Sequence, residues 1–418
     1  MTSDVATAVE SVYRSDWGRI VATLISLLGD FDLAEEYAQE AFTAALCQWS
    51  SQGIPESPRA WIVSTARHKA IDRLRRQTLF TEKLQPELAR QMPSNEQPEY
   101  EPEEIPDERL RLIFTCCHPS LAAEAQVALT LRTLCGLETD EIARAFVVPI
   151  ATMAQRLVRA KRKIRDARIP YVVPGGSEMR ERLGAVLAVI YLVFNEGYTA
   201  TRGERLIRTD LCGEAIRLGR IIQALMSPQV PREATGLLAL MLLHDARRGA
   251  REDGEGQIVL LENQDRSRWN QEQIREALPL VGEAIHGDAG PYALQAGIAA
   301  EHCKAARAED TDWREITRLY DGLEALNPSP VVSLNRAVAI AMIEGPGVAL
   351  EIVDAIAHDG ELESYHLLHA TRADLLRRVG SRQEAAKSYL RAIELATNQR
   401  ERVFLERRLR EVQTASTA

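Results

Sequence analysis

Charge changes sign twice along the first 170 residues of this chain, and these changes limit the folds that the chain can adopt. Between residues 59 and 76 six basic residues stand against one acidic residue, and between 77 and 108 nine acidic residues stand against two basic ones. Between 141 and 168 the balance is basic again, eight to two. The acidic stretch also contains five prolines, which oppose a packed core. The pattern predicts two small basic domains joined by an acidic tether.

Composition favours α-helix along the whole chain. Of the 418 residues 45% are hydrophobic but only 5% are aromatic, and Ala, Leu, Glu and Arg dominate. Alternation of β-branched residues is rare. We therefore predict an all-α protein. The length allows two to four domains, and the charged fraction of 27% is ordinary for a folded chain.

Proline and glycine in the stretch IPYVVPGG, at 169–176, predict a second break. The chain then divides into a helical domain at 1–76, a linker at 77–107, a second helical domain at 108–170, a linker at 171–180 and a helical C-terminal region at 181–418. In this last region SLNRAVAIAMIEGPGVALEIVDAI aligns with HATRADLLRRVGSRQEAAKSYLRAI at an offset of 36, which places Ala337 on Ala373 and Ala349 on Ala385. Small residues on both sides of a glycine turn predict helical-hairpin repeats of the tetratricopeptide type.

Cysteine usage and the N-terminal sequence predict a cytoplasmic location. The six cysteines form no CxxC pair, and the chain shows neither an export signal nor a run of eighteen apolar residues, so we expect no membrane association. Cys116, Cys117 and His118 are adjacent, but neighbouring helical cysteines point about 100° apart and cannot chelate a metal together. Two interpretations stay open: buried small residues, or vicinal thiols that are oxidised if they are exposed.

The basic stretch at 149–167 has two faces when it is written as a helix. Ile150, Met153, Leu157 and Ile164 share one face. The opposite face carries polar residues that suit a polyanion: Thr152, Gln155, Arg156, Arg159 and Lys163. Upstream, Gly136 ends one predicted helix and Thr139 begins the next. Three helices with a tight turn before the last predict a helix-turn-helix, although a solvated basic helix on a bundle surface gives the same charge pattern.

These segments resemble a known family. LTLRTLCGLETDEIARAFVVPIATMAQRLVRAKRKIRDA resembles region 4 of bacterial sigma factors of the extracytoplasmic-function group, which reads the minus-thirty-five promoter element. LLGDFDLAEEYAQEAFTAALCQW and SPRAWIVSTARHKAIDRLRR resemble their region 2. The resemblance covers about the first 170 residues. It implies a transcription initiation factor whose partners are core RNA polymerase and promoter DNA.

The resemblance also assigns residues to these contacts. The first region 2 segment implies a polymerase-binding set: Asp32, Glu35, Glu36, Gln39 and Glu40. The second segment implies contacts to the minus-ten element: Trp61, Arg67, His68, Lys69, Arg73, Arg75 and Arg76. Two alternatives remain, because the acidic set also suits a solvated helix face and Trp61 also suits a core position. The chain departs from the family at His68, where asparagine is common, and at 147–149, where Val-Val-Pro replaces glycine and a serine cap.

The C-terminal region resembles a subgroup of these sigma factors that carries a tetratricopeptide-like extension. FNEGY, LLALMLLHDARR, QDRSRW, GPYALQAGIAA and PSPVVSLNRAVA look like its signature segments. The resemblance implies control of activity by the fused region and association with a small ferredoxin-like regulatory protein. The segments contain a set of polar residues: Asn195, Glu196, His244, Asp245, Arg247, Asp265, Arg266 and Tyr292.

No catalytic motif accompanies these polar residues, so the sequence predicts no enzyme activity, no cofactor and no metal. Two rival hypotheses remain. One is an enzyme with a DNA-binding head, in which the polar residues converge on acid–base chemistry. The other is an adaptor that uses its repeats to bind protein partners.

Overall fold

The computed structural model of the chain describes residues 2–82, 108–146, 148–198 and 209–414. These residues form eighteen α-helices and no strand, apart from an isolated bridge between Glu252 and Ile258, so the all-α prediction is confirmed. Most of the predicted acidic linker, at 83–107, lies outside the described residues. In the part that the structure describes, no helix is both long and apolar enough to cross a membrane.

The chain divides into two compact units, an N-terminal unit at 1–189 and a C-terminal unit at 190–418. Seven helices lie within the N-terminal unit: α1 (Thr2–Leu28), α2 (Phe31–Gln52), α3 (Pro58–Glu82), α4 (Arg109–Cys116), α5 (Ala123–Thr133), α6 (Thr139–Ala145) and α7 (Ile150–Asp166). An eighth helix, α8 (Gly176–Tyr198), includes the boundary between the units and takes in part of the predicted linker at 171–180.

Helix α1, which belongs to the first predicted basic domain, packs against the second. Trp17 is buried, its ring lies 4.8 Å from Tyr13, and its indole N–H donates to the Arg132 carbonyl of α5 at 3.3 Å. Gly18 allows close approach, since a Cβ at this position would lie 2.4 Å from the carbonyl oxygen of Leu134. Gly136 has φ +74°, as expected for the end of a helix, and its carbonyl accepts from the Tyr13 hydroxyl at 2.9 Å. The two predicted basic domains therefore pack together in the N-terminal unit.

Helices α6 and α7 form the predicted helix-turn-helix pair, with Val147 of the turn outside the described residues. α6 begins at Thr139, and the Glu141 carboxylate accepts from the Glu138 N–H at 2.7 Å. The buried side of α7 consists of Met153, Leu157, Ala160 and Ile164. The prediction was wrong for Ile150, which is 56% exposed because it starts the helix directly after the turn.

Ten helices follow in the C-terminal unit: α9 (Thr209–Met226), α10 (Arg232–Ala246), α11 (Gln271–Ile285), α12 (Pro291–Lys304), α13 (Trp313–Leu326), α14 (Pro330–Ile343), α15 (Pro346–Asp359), α16 (His366–Arg378), α17 (Arg382–Leu395) and α18 (Gln399–Thr414). Between α10 and α11 the chain forms three short 3-10 helices: Arg248–Ala250, Leu261–Asn263 and Arg266–Arg268.

The two aligned segments of the repeat form helical pairs, α14 with α15 and α16 with α17, each joined by a short connection. The four aligned alanines are fully buried within these pairs: Ala337, Ala349, Ala373 and Ala385. Small side chains at these positions let the paired helices approach closely. The C-terminal region is thus helical as predicted, and its tetratricopeptide character stays a prediction.

Candidate nucleic-acid and polymerase interface

The acidic residues predicted to bind polymerase lie along α2. The helix begins after Asp30, whose carboxylate accepts from the backbone N–H groups of Asp32 and Leu33 at 2.8 and 2.9 Å. Asp32, Glu36 and Gln39 are exposed. Together with half-buried Glu40, Glu36 and Gln39 line a shallow depression. This side of α2 presents acidic and amide groups that suit a basic partner.

Glu35 differs from the rest of this set because only 8% of its surface is exposed. One carboxylate oxygen lies 3.4 Å from Nε of Arg132 on α5, and the other lies 3.0 Å from Nζ of Lys161 on α7. Lys161 also contacts Oδ1 of Asp32 at 2.9 Å. Burial opposes the charged form of Arg132, but Glu35 and Glu138 more than offset it and raise the pKa of the guanidinium. Ion pairs between the two sigma-like segments therefore cover one end of the acidic set.

Lys161 is a functional candidate that sequence reasoning missed. It lies on the packed side of α7, four residues after Leu157 and three before Ile164, and is half-buried. The helical period places it with the apolar residues and apart from the other bases of this stretch. This spacing in the sequence could have distinguished Lys161 from the basic residues that are expected to face DNA.

The polar face predicted for α7 is available to solvent. Thr152, Gln155, Arg159 and Lys163 are exposed, and Arg156 is half-buried. A helix of this width enters the major groove of DNA, where long basic side chains reach phosphates and amides reach base edges. The structure thus places these five residues on one side of the helix, as the hypothesis of DNA binding requires.

The residues predicted for the minus-ten element lie on α3. Trp61 is half-buried, and its ring packs against the ring of buried Trp49 at 5.5 Å in an edge contact, so part of it serves the core. Arg67 is half-buried and His68 exposed, whereas Lys69 pairs with Glu40 of α2 at 3.0 Å. The side chains of Arg73, Arg75 and Arg76 lie outside the described part of α3.

Sequence comparison matches three families to this chain. Sigma-70 region 2 matches residues 12–80, Sigma-70 region 4 matches residues 111–164, and a family of unknown function, DUF6596, matches residues 182–285. The two sigma-70 matches fall on the helices that carry the interface residues. The chain therefore contains sigma-70 regions 2 and 4, and these regions support an RNA polymerase sigma factor.

Two proteins are similar to this chain in sequence. An uncharacterized protein of Rhizobium meliloti is 44% identical over 393 residues, which are 93% of this chain and 92% of the relative. A protein of Haemophilus influenzae that is named a probable RNA polymerase sigma factor is 27% identical over 150 residues, which are 32% of this chain and 76% of that one. No solved structure matches the chain. The Rhizobium protein and this chain therefore belong to one family along nearly their full lengths.

The vicinal cysteines of this sigma factor are buried. The Cys116 and Cys117 sulfurs contact the hydroxyls of Thr133 and Thr130 at 3.2 and 3.6 Å. Burial raises the pKa of both thiols, that of Cys117 to about 12, so both stay protonated at neutral pH. Nδ1 of His118 accepts from the backbone N–H of Ser120 at 3.2 Å. The arrangement agrees with the interpretation as buried core residues, and it offers no exposed pair of thiols.

The polar residues predicted in the C-terminal unit do not converge on one point. The Tyr292 ring packs on Tyr191 at 5.3 Å near the start of α12, where the Glu233 carboxylate accepts from the N–H groups of Tyr292 and Ala293 at 3.1 Å. Asp265 is exposed, and a hydrogen bond from the Ser267 hydroxyl lowers its pKa. Helix α8 carries exposed Asn195 and half-buried Glu196.

His244, Asp245, Arg247 and Arg266 instead lie towards the C-terminal ends of α10 and α12. Arg247 Nη2 is 3.1 Å from His244 Nδ1, and Arg266 donates to the carbonyl of His302 on α12. Asp245 accepts from Gln273 Nε2 at 2.8 Å. Tyr292 and His302 occupy opposite ends of α12, so the predicted set falls into separate groups.

Proposed function

We propose that this sigma factor binds core RNA polymerase through α2 and directs promoter-specific initiation through α3 and α7, with its activity controlled by the C-terminal unit. The observation that carries the proposal is the coincidence of exposed polar faces on α2 and α7 with the two sigma-70 matches. Such a factor acts where the polymerase and the chromosome are, in the cytoplasm.

Each helix has its own task in this proposal. Asp32, Glu36 and Gln39 contact basic helices of the polymerase. The basic segment of α3 holds the single-stranded minus-ten element through phosphate contacts and stacking. Thr152 and Gln155 of α7 read base edges of the minus-thirty-five element, while Arg159 and Lys163 bind phosphates. A net charge of −9 is compatible with this division, because the polymerase supplies most of the affinity for DNA.

The ion pairs of Glu35 add a requirement. In the described conformation its carboxylate contacts Arg132 and Lys161, so it is not available to a polymerase. A polymerase that engages Glu35 has to replace these pairs with new ones, because a buried carboxylate without a partner is strongly destabilising. The ion pairs of Glu35 stabilise a closed N-terminal unit, and this closed state competes with the binding of polymerase.

In-vitro transcription with core polymerase and a promoter library tests the function. The full chain should give discrete starts, and the double variant Gln155→Ala and Arg159→Ala should lose them while it still binds core polymerase. The matched control replaces two exposed residues of α18, Gln399→Ala and Arg402→Ala, and should transcribe normally. Absence of both core binding and transcription with the unmodified chain would refute the proposal.

Control by the C-terminal unit needs a truncation that keeps the N-terminal unit intact. Arg182 of α8 is buried and donates to the Phe114 carbonyl, so a chain that ends at Gly176 would lose this contact. A chain that ends at Tyr198 keeps it, and its helicity can be checked by circular dichroism. Higher transcription than that of the full chain would make the C-terminal unit an inhibitor, and lower transcription would make it an activator. Equal transcription would contradict any control by this unit.

The small regulatory protein implied by the family resemblance is proposed as a ligand of the C-terminal unit. An enzyme is less well supported, since the polar residues expected to converge are divided between the two ends of α12. No observation favours a second function over transcription initiation.

A further inference from the structure

A group of basic residues lies near the C-terminal ends of α10 and α12. We call it the basic cluster, and it consists of His244, Arg247, Arg251, Arg266 and His302. Two signature segments supply three of its members, since HDARR contains His244 and Arg247 and QDRSRW contains Arg266, and FNEGY ends in Tyr198, which Arg247 contacts. Residues that are distant in sequence are thus brought together at a place to which neither sigma-70 match extends.

Arg247 is the buried member of the cluster, with 6% of its surface exposed. Its Nη2 lies 3.2 Å from the Tyr198 hydroxyl and 3.1 Å from Nδ1 of His244. Its Nε has no hydrogen-bond partner, and no carboxylate pairs with the guanidinium in the described part of the chain. A phenol and an imidazole do not neutralise a buried positive charge, which is costly unless it has a counter-charge.

The neighbouring arginines add positive charge around Arg247. Arg266 lies over the ring of buried Trp269 at 4.6 Å and donates to the carbonyls of His302 and Ala305. Arg251 lies over the Tyr198 ring at 3.7 Å and donates to the carbonyl of the same residue. The carbonyl groups and the indole face that contact Arg266 do not supply a negative charge.

Two nearby carboxylates, Asp245 and Asp310, have partners outside the cluster. Asp245 accepts from Gln273 at 2.8 Å and lies 3.4 Å from Arg248. Asp310, which is exposed near Arg266, pairs with Arg307 at 3.2 Å. Burial, together with Arg247 and Arg266, lowers the pKa of His302 to about 3. Burial, Arg247 and Arg251 lower that of His244 well below its ordinary value. Both imidazoles are neutral at pH 7, so the positive charge of the cluster is that of the arginines.

We propose that the basic cluster binds a small anion through a carboxylate or phosphate group, with Arg247 as its principal ligand. The unpaired Nε–H of Arg247 can donate to a carboxylate or phosphate oxygen, and the charge of the guanidinium strengthens such a hydrogen bond. Arg266 supplies the second positive charge. The neutral imidazoles of His244 and His302 add uncharged hydrogen-bonding groups. The ligand is therefore a small anionic metabolite or inorganic phosphate.

Thermal unfolding of the full chain tests the proposal. The protein is titrated with sodium phosphate, with sodium citrate and with sodium chloride at matched ionic strength. A ligand that binds only the folded state raises the unfolding midpoint as its concentration passes its dissociation constant. We expect phosphate, citrate or both to raise the midpoint more than chloride does. A response to phosphate alone indicates a phosphate ligand, and a response to citrate alone indicates a carboxylate.

Variants separate a site from a general salt effect. Arg247→Gln and Arg266→Gln should each weaken the apparent affinity at least tenfold. Arg220→Gln, which removes an exposed arginine paired with Glu276 in the same unit, should keep the response of the unmodified chain. If Arg247→Gln does not fold, the response of Arg266→Gln to the anions alone tests the proposal. Equal shifts with chloride and with the two anions, or equal responses in Arg220→Gln and Arg266→Gln, would overturn the proposal. The measurement needs no polymerase, so its failure leaves the proposed sigma function untouched.

Discussion

Lys161 holds a position that no other base of its stretch shares, because it faces α2 and not solvent. Its Nζ contacts both Asp32 and Glu35, at 2.9 and 3.0 Å. Hydrogen bonds between charged groups contribute about 1.5–3 kcal/mol when they are partly buried. If polymerase competes for the same carboxylates, this contact lowers the apparent affinity for polymerase by the fraction of molecules that are closed.

Reversing this charge should open the N-terminal unit. We expect Lys161→Glu to bind core polymerase about fivefold more tightly than the unmodified chain, which corresponds to about 1 kcal/mol. Arg162→Glu is the matched control, since it makes the same charge change at the next residue, where the side chain is exposed and pairs with Asp166 of its own helix. Fluorescence titration with labelled core polymerase measures both. An equal change in the two variants would mean that the pairing of Lys161 does not compete with polymerase.

His302 should make stability depend on pH. Burial, then Arg247 and Arg266, lower its pKa to about 3, whereas the unfolded chain takes up this proton near 6.5. The folded state is therefore favoured above pH 6.5, and this contribution is lost as the pH falls from 6.5 towards 3. Between pH 7 and 5 the unfolding free energy should fall by about 2 kcal/mol on account of this residue.

Denaturant titrations at the two pH values can isolate that contribution. His302→Gln should lose less free energy between pH 7 and 5 than the unmodified chain, since its side chain takes up no proton on unfolding. His358→Gln, which replaces an exposed histidine of α15, serves as the control and should keep the original difference. An unchanged pH dependence in His302→Gln would contradict the lowered pKa.

At the scale of the helices, Gly236 sets the distance between α10 and α12. A Cβ at this position would lie 2.7 Å from the Ala293 nitrogen and 2.8 Å from its Cα, so the backbone of α12 would have to move. Gly236→Ala should therefore destabilise the C-terminal unit by about 1–3 kcal/mol. In α11, a Cβ at Gly282 would meet nothing within 4 Å, and Gly282→Ala should be neutral or stabilising by up to about 1 kcal/mol. Chemical denaturation measures the unfolding free energy of both variants. Equal changes in the two variants would show that α10 and α12 do not approach this closely.

Helical periodicity predicted much of α7 because the buried and exposed sides of one helix are encoded within its own sequence. Met153, Leu157 and Ile164 are buried, and the polar face is accessible, as the period requires. Ile150 departs from the pattern because the neighbours of a first turn depend on the preceding connection. The burial of Glu35 was beyond this reasoning, since it depends on Arg132 and Lys161 from distant helices.

The same limit applies to the basic cluster. His244, Arg247 and Arg266 stand in separate signature segments and belong to the same predicted polar set as Tyr292 and Asp265, whereas Arg251 and His302 lie outside that set. Only packing of α10 against α12 separates the two groups, since it places Tyr292 and His302 at opposite ends of one helix. Sequence patterns report the faces of single helices, whereas the partners of a buried charge are set by how helices pack.

For the whole molecule, the two predicted basic domains lie together in one compact N-terminal unit. Trp17, Gly18 and Tyr13 of α1 lie against the end of α5 and the turn after it, and the ion pairs of Glu35 close the acidic end of α2. A promoter-bound factor reads two DNA elements at once, so we expect this packing to be released on the polymerase.

A zero-length cross-link can report that release. A carbodiimide joins an amine to a carboxylate that it contacts, so the free chain should give an amide between Lys161 and Asp32 or Glu35, which mass spectrometry identifies. Saturating core polymerase should suppress this product. The pair of Lys304 with Glu301, 2.7 Å apart within α12, is the internal control and should cross-link equally with and without polymerase. Equal yields of the Lys161 product in both conditions would mean that the N-terminal unit stays closed when it binds, and that polymerase contacts only the exposed side of α2.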